Sequence, residues 1–396
     1  MLVTVTESEK SVPGSSDRLH LAVALDGTGW HPASWREPDA RPAALLTAGY
    51  WTDLVAEAER GLLDFVTVED GLALQSEHPL RADDRTDRVR GRLDATLIAA
   101  RVAPRTRHIG LVPTVIATHT EPFHASKAVA TLDYVSSGRA GVRIQVTASP
   151  EAAGHFGRRT MPDPDLLSEA ADYVEVIRRL WDSWEDDAEI RDVATGRFVD
   201  RTKLHYVDFE GPWFSVKGPS ITPRPPQGQP IVAALGHVDA AYRLIASSAD
   251  VGFITPHDAA ETTTTVEAIA AHRGDQPPVR VFADLVVFLD DTTAAARSRR
   301  DRLDEAAGRA LRSDAEIFVG TPAELADLLV QWHDAGADGF RLRPASLPHD
   351  LLQITDGLVP ELRARGLFRT SYAANSLRES LGLSRPANRY STAATS

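Results

Sequence analysis

The chain of 396 residues contains no cysteine. This absence excludes disulfide bonds, thiolate catalysis, iron–sulfur clusters and zinc sites with cysteine ligands. No window approaches the roughly 18 uninterrupted apolar residues of a membrane-spanning helix. The N-terminus, MLVTVTESEKSVPGSSDR, also lacks a basic segment followed by an apolar run, so it does not resemble a secretory signal. We therefore expect a cytoplasmic protein.

Positive charge is scarce along this chain. It has 43 Lys and Arg against 56 Asp and Glu, a net charge of −13. Nucleic acids and anionic membranes are bound by clustered Lys and Arg, so both are disfavoured as partners. Two basic clusters remain, Arg88 with Arg90 and Arg92, and Arg158 with Arg159. Such clusters more often form a solvated surface, but they could contact an anionic ligand.

Short apolar segments alternate with amphipathic helical segments. The apolar segments predict eight strands, at 19–25, 62–68, 108–115, 140–146, 231–235, 250–255, 279–289 and 339–344. A helical pattern follows each of them. Eight such units in series, with apolar strands, favour an α/β protein with a closed (β/α)₈ TIM barrel over an open sheet.

The same alternation sets the expected domain boundaries. Residues 1–18 are expected to form a flexible leader, 19–366 a single barrel domain and 367–396 a C-terminal extension. Residues 185–229 interrupt the alternation. Within them, HYVDFEGPWFSVKG (205–218) predicts a hairpin, because it alternates around a Gly-Pro turn. We interpret this stretch as an insertion in the barrel.

The stretch ATHTEPFHASK (117–127) places His119, Glu121 and His124 close together. Two imidazoles and a carboxylate are possible metal ligands. However, Pro122 favours an extended conformation for the residue before it, so the three side chains are expected to fan out. We expect no metal here, and expect Glu121 and His124 to satisfy backbone groups at the start of the next helix.

Catalytic residues of a (β/α)₈ barrel follow the C-terminal ends of its strands. Polar side chains follow most of the predicted strands here. The candidates are Asp26 to His31, Glu69, Asp70, Thr114 to His124, Thr147 to Ser149, Gly236, His237, Thr255 to His257 and Arg341 to Pro344.

Several longer segments carry a family resemblance. They include DFVTVEDGLALQ, RVAPRTRHIGLVPTVIATHTEPFHASKAVATLDYVSSGRAGVRIQV, HFGRR and YVEVIRRLWDSWEDDA. In this order the chain resembles the bacterial luciferase-like flavin monooxygenases from residue 19 to residue 383. It is most similar to the branch with the nitrilotriacetate, pristinamycin-synthase and sulfone monooxygenases. The EPFH and TLDYVSSGRAG motifs are the most specific part.

The resemblance implies a barrel that binds reduced FMN in the mouth at the strand ends. It further implies a separate NAD(P)H-dependent flavin reductase that supplies the reduced FMN, and O₂ as the oxidant of a small organic substrate. The cofactor carries the difficult chemistry, while the protein orients it and excludes water. Proteins of this family are usually homodimers.

The resemblance also assigns cofactor and substrate positions. Asp70 and Thr114 match positions that contact the flavin, and Thr147 is a further cofactor-binding candidate after the fourth strand. The segment TGWHPASWR matches one that lines the substrate mouth. Trp30 and His31 are therefore candidates for the substrate pocket.

The family's usual phosphate clamp is not matched. Asp163 and Leu167 stand where a His and a Tyr are common, and a carboxylate at 163 would repel a phosphate. Arg158, Arg159, His237 or the start of the helix near residue 239 could replace the clamp, since guanidinium groups and helix N-termini suit phosphates.

Oxygen chemistry at a flavin needs hydrogen-bond donors. His31, His119 and His237 are the predicted catalytic residues, with His257 as a further histidine at a strand end. Two other functions stay open, a deazaflavin-dependent hydride-transfer oxidoreductase and a non-catalytic flavin-binding protein. A metal-dependent hydrolase fits the sequence least well.

Overall fold

Eight parallel strands close into a barrel. The computed structural model describes residues 18–76, 78, 81–157 and 165–391, so most of the predicted leader lies outside the described residues. The barrel strands are β1 (His20–Leu25), β2 (Phe65–Val68), β3 (Gly110–Ile116), β4 (Gly141–Gln145), β5 (Ile231–Gly236), β6 (Val251–Ile254), β7 (Arg280–Leu289) and β8 (Gly339–Pro344). Each strand pairs with the next, and β8 pairs with β1. The predicted (β/α)₈ TIM barrel is confirmed.

Helices cover the outside of the barrel. They are α1 (Ala48–Arg60), α2 (Ala95–Val102), α3 (Pro122–Val135), α4 (Pro150–Phe156), α5 (Leu166–Asp182), α6 (Asp239–Ser248), α7 (Ala259–Arg273), α8 (Thr293–Ala307), α9 (Pro322–Asp334), α10 (His349–Gln353), α11 (Val359–Ala364) and α12 (Leu377–Ser380). Thr321 caps α9 and shares a reciprocal capping box with Glu324, as its Thr-x-x-Glu spacing favours. None of the helices in the described part of the chain is long and apolar enough to cross a bilayer.

An additional strand, Glu316–Gly320, pairs in parallel with residues 285–289 of β7. This strand was not among those predicted from the sequence. The reason lies in β7, which is ten residues long and pairs with β6 only up to Ala283. The end of β7 therefore extends beyond its neighbour, and the additional strand covers backbone groups that would otherwise form an open edge.

Two small antiparallel ladders occupy the region interpreted as an insertion. Glu189–Asp192 pairs with Arg197–Val199, and Phe209–Glu210 pairs with Ser215–Val216. The second ladder lies within the segment predicted as a hairpin. The domain boundaries themselves stay an interpretation.

The C-terminal extension covers the N-terminal end of the barrel. Leu377 and Leu381 pack there against a cluster that contains Phe65, Phe253 and Phe282. The ring of Phe282 lies 5.3 Å from that of Phe65 and 6.2 Å from that of Phe253, between centroids. The interior of the barrel at this end is therefore an apolar core.

Asp250 ties the extension to the barrel. Its carboxylate accepts hydrogen bonds from Arg178 at 2.8 Å, from Arg378 at 2.9 Å and from the backbone N–H of Val232 at 2.9 Å. Burial raises the pKa of Asp250, but the two guanidinium groups outweigh it and lower the pKa to about 2. This value is below the pKa of about 3.9 in an unfolded chain. The carboxylate thus contributes stability above about pH 4, which is lost as the pH falls towards 2.

We expect the Asp250→Asn variant to be less stable at neutral pH by about 2 kcal/mol. Its stability should also fall less between about pH 5 and pH 3 than that of the unchanged protein, because the group that takes up the proton is gone. Urea unfolding at a series of pH values measures both effects. Asp53→Asn, which removes an exposed partner of Arg41, should behave like the unchanged protein. Equal pH slopes for Asp250→Asn and the unchanged protein would contradict the assignment.

Candidate active site at the strand ends

The C-terminal ends of the barrel strands open into a cavity of about 410 Å³, the size of a pocket for a small ligand or cofactor. We call it the strand-end cavity. Its polar and aromatic lining residues are Asp26, Trp30, Glu69, Asp70, Arg92, Arg143, Gln145, His237, Asp314 and Arg343. Apolar side chains such as Ile144, Leu167, Leu235 and Leu244 complete the wall.

A second cavity of about 360 Å³ adjoins the first. It lies between the loop after β1, the loop after β2 and the first turn of α4, and we call it the loop cavity. Asp26, Trp30 and Arg92 line both cavities and form their shared wall. A ligand in one cavity would therefore lie beside a ligand in the other.

The shared wall is held in place by direct contacts. Arg92 donates to Asp26 through Nε at 3.2 Å and through Nη2 at 2.6 Å. The indole Nε1 of Trp30 donates to the carbonyl oxygen of Ala24 at 3.2 Å, and the guanidinium of Arg343 lies 4.6 Å from the centre of the Trp30 ring. These contacts fix a flat aromatic surface between the two cavities.

A network of six charged side chains, all buried except the exposed Asp314, forms the floor of the strand-end cavity. Its members are Glu69, Arg143, Asp284, Asp314, Arg341 and Arg343. Arg143 donates to Glu69 at 2.7 Å, and both Arg341 and Arg343 donate to Asp284. The network holds three carboxylates and three guanidinium groups, so its charges balance.

Burial and ion pairing shift the pKa of each carboxylate of this network in opposite directions. Burial raises the pKa of Glu69, but Arg143 and Arg341 outweigh it and hold the pKa below its usual value. Asp284 and Asp314 behave in the same way, since arginines also outweigh their burial. All three carboxylates are therefore ionised at neutral pH, and the floor presents fixed charges of both signs.

Arg143, Asp284 and Asp314 were not predicted from the sequence as site residues. A signal for the first two was present, because Arg143 is the one charged residue of β4 and Asp284 is the one charged residue of β7 after its first position, Arg280. Side chains of a strand alternate between its faces, and Arg341 and Arg343 occupy alternate positions of β8. Asp314 reaches the network from the loop after α8, and no sequence pattern indicated that contact.

Asp70 and Thr114 lie at the same end of the barrel, Asp70 just after β2 and Thr114 in the neighbouring strand β3. Asp70 lines the strand-end cavity, and its carboxylate accepts from the backbone N–H groups of Gly71 at 2.7 Å and Ala95 at 2.9 Å. Burial raises the pKa of Asp70 despite these bonds. Thr114 is buried below the cavity, where Arg143 donates to its hydroxyl at 3.1 Å. Their flavin contacts stay predictions.

The other residues predicted to bind the cofactor do not share one place in the structure. Thr147 does not line the strand-end cavity, and its hydroxyl accepts from a backbone N–H of its own loop at 3.2 Å. Arg158, Arg159 and Asp163 lie outside the described residues. Leu167 forms part of the apolar wall of the strand-end cavity.

His237 is the predicted histidine that lines the strand-end cavity. Its Nδ1 lies 2.8 Å from the hydroxyl of Thr255, and its Nε2 lies 3.5 Å from a carboxylate oxygen of Asp314. Asp314 is fixed in turn by Arg343 at 2.6 Å. The imidazole is thus both exposed and oriented, which suits a group that exchanges protons with a ligand.

His31 lines the loop cavity, but both of its ring nitrogens are already bonded. Its Nδ1 accepts from the backbone N–H of Ala33 at 3.1 Å, and its Nε2 lies 3.1 Å from a carboxylate oxygen of Asp304. Burial lowers the pKa of His31 although Asp304 opposes it. The contacts favour a neutral imidazole that anchors the loop, and its catalytic role stays a prediction.

The structure does not bring His119 to the strand-end cavity. Its ring stacks on Phe156 with 5.0 Å between centroids, in a separate pocket that Trp213 also lines. This occurs because the loop after β3 leaves the mouth before α3 begins at Pro122. His257 does not line the strand-end cavity either; it is exposed, contacts Glu261 at 3.3 Å near the start of α7, and lines a neighbouring pocket with His237.

At the start of α3, a backbone carbonyl accepts hydrogen bonds from the N–H groups, in place of the side chain that was expected to do so. The carbonyl oxygen of Glu121 accepts from the N–H groups of His124 and Ala125, and no side-chain bond of Glu121 caps the helix. Within the described ranges, no three His, Asp or Glu side chains are grouped as metal ligands would be.

The fold and the cavity define an enzyme of the (β/α)₈ barrel class with its site at the strand ends. The family model "Luciferase-like monooxygenase" matches residues 30–339. The chain belongs to this family, and the predicted resemblance and the predicted enzyme class, an oxidoreductase of the monooxygenase type, are confirmed. It is 32% identical to N-acetyl-S-(2-succino)cysteine monooxygenase of Bacillus subtilis (strain 168), over 94% of this chain and 98% of the relative.

Other relatives match this chain over similar shares of its length and of their own. Nitrilotriacetate monooxygenase component A of Aminobacter aminovorans is 29% identical over 95% of this chain and 98% of its own length. Among solved structures, the EDTA monooxygenase of Chelativorans sp. BNC1 superposes with a TM-score of 0.82 at 23% identity, over 93% of this chain and 99% of that chain. A riboflavin lyase that contains modified FMN and riboflavin gives 0.83 at 24% identity, over 94% and 97%. These two structures share the fold.

Proposed function

We propose that the chain is a flavin-dependent monooxygenase that uses reduced FMN and O₂ to oxygenate a small organic substrate. Reduced flavin supplies the two electrons with which one oxygen atom enters the substrate and the other leaves as water. The observation that carries the proposal is the pair of adjoining cavities. One has room for a cofactor at the strand ends, the other lies beside it, and Trp30 belongs to both.

The residues of the strand-end cavity fit the ring system of a flavin. Its edge combines carbonyl oxygens and ring nitrogens, which need donors and acceptors in one cavity. Arg143 and Gln145 offer donors, and Asp70 offers acceptors. The Nε of Arg143 is buried and has no hydrogen-bond partner among the described residues, so it could donate to a ring carbonyl.

The described residues offer fewer groups that could bind the phosphate of FMN. Each guanidinium that lines the cavity is already paired, Arg92 with Asp26, Arg143 with Glu69, and Arg343 with Asp284 and Asp314. Near the rim, His237 and the first turn of α6 are the remaining candidates. Arg158 and Arg159, which lie outside the described residues, are candidates from the sequence alone. Weak binding of the phosphate suits a flavin that binds in its reduced form and dissociates in its oxidised form in each turnover.

The protein groups have separate roles in this proposal. Trp30 and the Asp26–Arg92 pair separate flavin from substrate, and the apolar wall excludes water, which protects reactive species from side reactions. His237 moves a proton at the rim, oriented by Asp314 and Thr255. General acid–base catalysis by a positioned side chain contributes about 10²–10⁴-fold to the rate.

A separate flavin reductase is the proposed partner. The relative from Aminobacter aminovorans is named component A, and two relatives from Streptomyces pristinaespiralis are subunits A and B of pristinamycin IIA synthase. These names indicate multicomponent systems. We propose the same arrangement for this chain, with an NAD(P)H-dependent reductase as the source of reduced FMN, and a homodimer as its own assembly.

The deazaflavin alternative has support only at the level of the fold. Two proteins described as dependent on coenzyme F420 share it, each with a TM-score of 0.59 at 12% and 16% identity. Turnover without oxygen would favour that alternative. The proposed function is tested by anaerobic titration of the protein with reduced FMN, followed by ¹⁸O₂ and a panel of substrates. Product that contains ¹⁸O is expected, whereas oxygen in the product that derives only from water would refute a monooxygenase.

The His237→Gln variant should form product about 100-fold more slowly, because glutamine keeps a polar side chain but cannot act as acid or base. Its Kd for reduced FMN should stay within about threefold of that of the unchanged protein if the main role of His237 is proton transfer. His257→Gln is the matched control, since His257 lies outside the strand-end cavity. The rate of product formation is measured for both variants with the same reductase. An unchanged rate for His237→Gln would show that His237 has no part in the mechanism.

A further inference from the structure

Among the described residues, three guanidinium groups line the strand-end cavity. In two of them the protein itself occupies the Nε–Nη2 edge, which is the edge that donates two parallel hydrogen bonds. Arg92 donates from Nε and Nη2 to the two carboxylate oxygens of Asp26. Arg343 donates from Nε and Nη2 to Asp284 and from Nη1 to Asp314. Neither of these edges is therefore open to a ligand.

The third guanidinium, that of Arg143, keeps its Nε–Nη2 edge unused. Both of its hydrogen bonds start from Nη1, which donates to Glu69 at 2.7 Å and to the hydroxyl of Thr114 at 3.1 Å. In the part of the chain that the structure describes, Nε and Nη2 have no partner, although the residue is only 5% exposed. Buried donors without acceptors are costly, so this edge indicates a ligand that supplies the acceptors.

Arg143 also has little negative charge close to it. Its carboxylate partner Glu69 is shared with Arg341, whose Nη1 lies 3.5 Å from Oε1 of Glu69. Burial lowers the pKa of Arg143, Glu69 opposes this shift, and Arg341 lowers the pKa further. A ligand with negative charge at the unused edge would therefore be stabilised by two effects, the missing hydrogen bonds and the attraction of opposite charges.

A flavin has two neighbouring acceptors at one edge of its ring system, N1 and the oxygen of the C2 carbonyl. Two such acceptors side by side match the two parallel N–H groups of a guanidinium edge. Both atoms are neutral in the oxidised flavin. The reduced flavin that has lost its N1 proton carries a negative charge over the same two atoms. A buried guanidinium beside them attracts this anion much more strongly than the neutral oxidised ring.

We propose that the Nε–Nη2 edge of Arg143 binds N1 and the C2 carbonyl of the flavin, and that it makes the site select reduced over oxidised FMN. The inference rests on the proposed function in one respect, that the strand-end cavity holds the flavin. Glu69 and Thr114 are positioning residues, because they fix Nη1 and thereby orient the edge.

This selection has a consequence for the catalytic cycle. The phosphate is the same in both oxidation states of FMN, so the groups near the rim bind it equally in both. Discrimination between the two states therefore depends on the ring. When the flavin is reoxidised, the charge at N1 disappears and the attraction to Arg143 weakens. The oxidised flavin then dissociates, and the site becomes free for the next molecule of reduced FMN.

Anaerobic titration of the full chain with reduced FMN, and a parallel titration with oxidised FMN, test the selection. In the unchanged protein, the Kd for reduced FMN should be at least about tenfold lower than the Kd for oxidised FMN. Because the two affinities are linked to the reduction potential, a tenfold ratio raises the potential of the bound flavin by about 30 mV. A redox titration of the bound flavin measures this rise independently.

The double variant Glu69→Gln with Arg143→Gln removes the ion pair as a unit and keeps the balance of charge. Its Kd for reduced FMN should rise about tenfold or more, whereas its Kd for oxidised FMN should change less than about threefold. Arg143→Lys keeps the charge but has no bidentate edge, so its preference should be intermediate. Arg139→Lys is the matched control, because Arg139 is buried, donates to Thr106 and does not line the strand-end cavity.

Circular dichroism shows whether each variant folds. If the double variant does not fold, Arg143→Lys and Arg139→Lys decide the test, and the preference for reduced FMN should be at least about threefold smaller in the first than in the second. The protonation state of the bound flavin is a readout that a purely structural role would not change. In ¹⁵N NMR of reduced FMN labelled at N1, we expect a deprotonated N1 in the unchanged protein, at a pH at which free reduced FMN carries this proton.

Three results would each overturn the inference: equal losses of affinity for the two oxidation states in the double variant, a preference for reduced FMN that none of the Arg143 variants changes, or a protonated N1 in the unchanged protein. If ¹⁸O from O₂ still enters the product in that case, the proposed function stands without the inference. Failure of the unchanged protein to bind either form of FMN would refute both.

Discussion

Replacing Asp284 by asparagine should destabilise the protein by about 3–5 kcal/mol, which is the loss typical of removing one partner from a buried ion pair. Asp284 is fully buried, and both Arg341 and Arg343 donate to its carboxylate. Asparagine keeps the size of the side chain but removes its charge. Two guanidinium groups would then remain in the barrel interior with one carboxylate fewer to balance them.

Urea unfolding of Asp284→Asn at neutral pH measures this loss. The matched control is again Asp53→Asn, because Asp53 pairs with an arginine at 2.8 Å but on the surface, where such a pair contributes about 0–1 kcal/mol. Combining Asp284→Asn with Arg341→Met should recover part of the loss, since the second change removes the unbalanced charge. A loss below about 1 kcal/mol for Asp284→Asn would show that the network does not depend on this carboxylate.

The second large effect is expected at Gly29, where alanine should destabilise the protein by roughly 3–5 kcal/mol. A Cβ at this position would lie 2.4 Å from the carbonyl oxygen of Ala345 and 2.6 Å from Cα of Ser346, and the φ of +129° is one that residues with a side chain rarely adopt. The obstructing atoms are backbone, so a rotamer change cannot relieve the clash. The same carbonyl oxygen of Ala345 accepts from the N–H of His31.

The Gly29→Ala variant should also lose flavin binding, by about tenfold or more in Kd if Trp30 in the shared wall moves with its neighbour. Gly154→Ala is the matched control. Nothing lies within 4 Å of a Cβ at Gly154, which is in α4, and alanine in a helix is about 0.5–1 kcal/mol more stable than glycine. Thermal unfolding and titration with reduced FMN compare the two variants. Unchanged stability of Gly29→Ala would show that the loop after β1 can shift freely.

The barrel could be predicted from the sequence because its strands are buried and its helices half-buried, so each has a distinct periodicity. The additional strand Glu316–Gly320 could not, because its residues are mostly half-buried and its formation depends on how far β7 extends beyond β6. For a similar reason, the sequence did not predict that α12 covers the N-terminal end of the barrel. Four residues of helix carry too little periodicity to indicate what they pack against.

The candidate site was predicted in part. Position in sequence relative to the strands correctly placed Asp70, Thr114 and His237 at the C-terminal end of the barrel. It could not separate His237 from His119, because both follow strands and only the course of the next loop moves His119 away. It also could not show that Arg81 and Arg88 line the loop cavity, whereas Arg85 donates to Asp87 and Arg90 donates to Asp83, because that division depends on contacts in the folded loop after β2.

The packing of the last helix against the apolar end of the barrel has a consequence for biosynthesis. Leu377 and Leu381 emerge from the ribosome after every barrel strand has been made, because synthesis proceeds from the N-terminus. Until then the aromatic side chains of Phe65, Phe253 and Phe282 lack their cover, and a nascent chain that stalls before this point would present them to chaperones or to other nascent chains. Packing of Leu377 and Leu381 is thus the last step in covering this apolar cluster during synthesis.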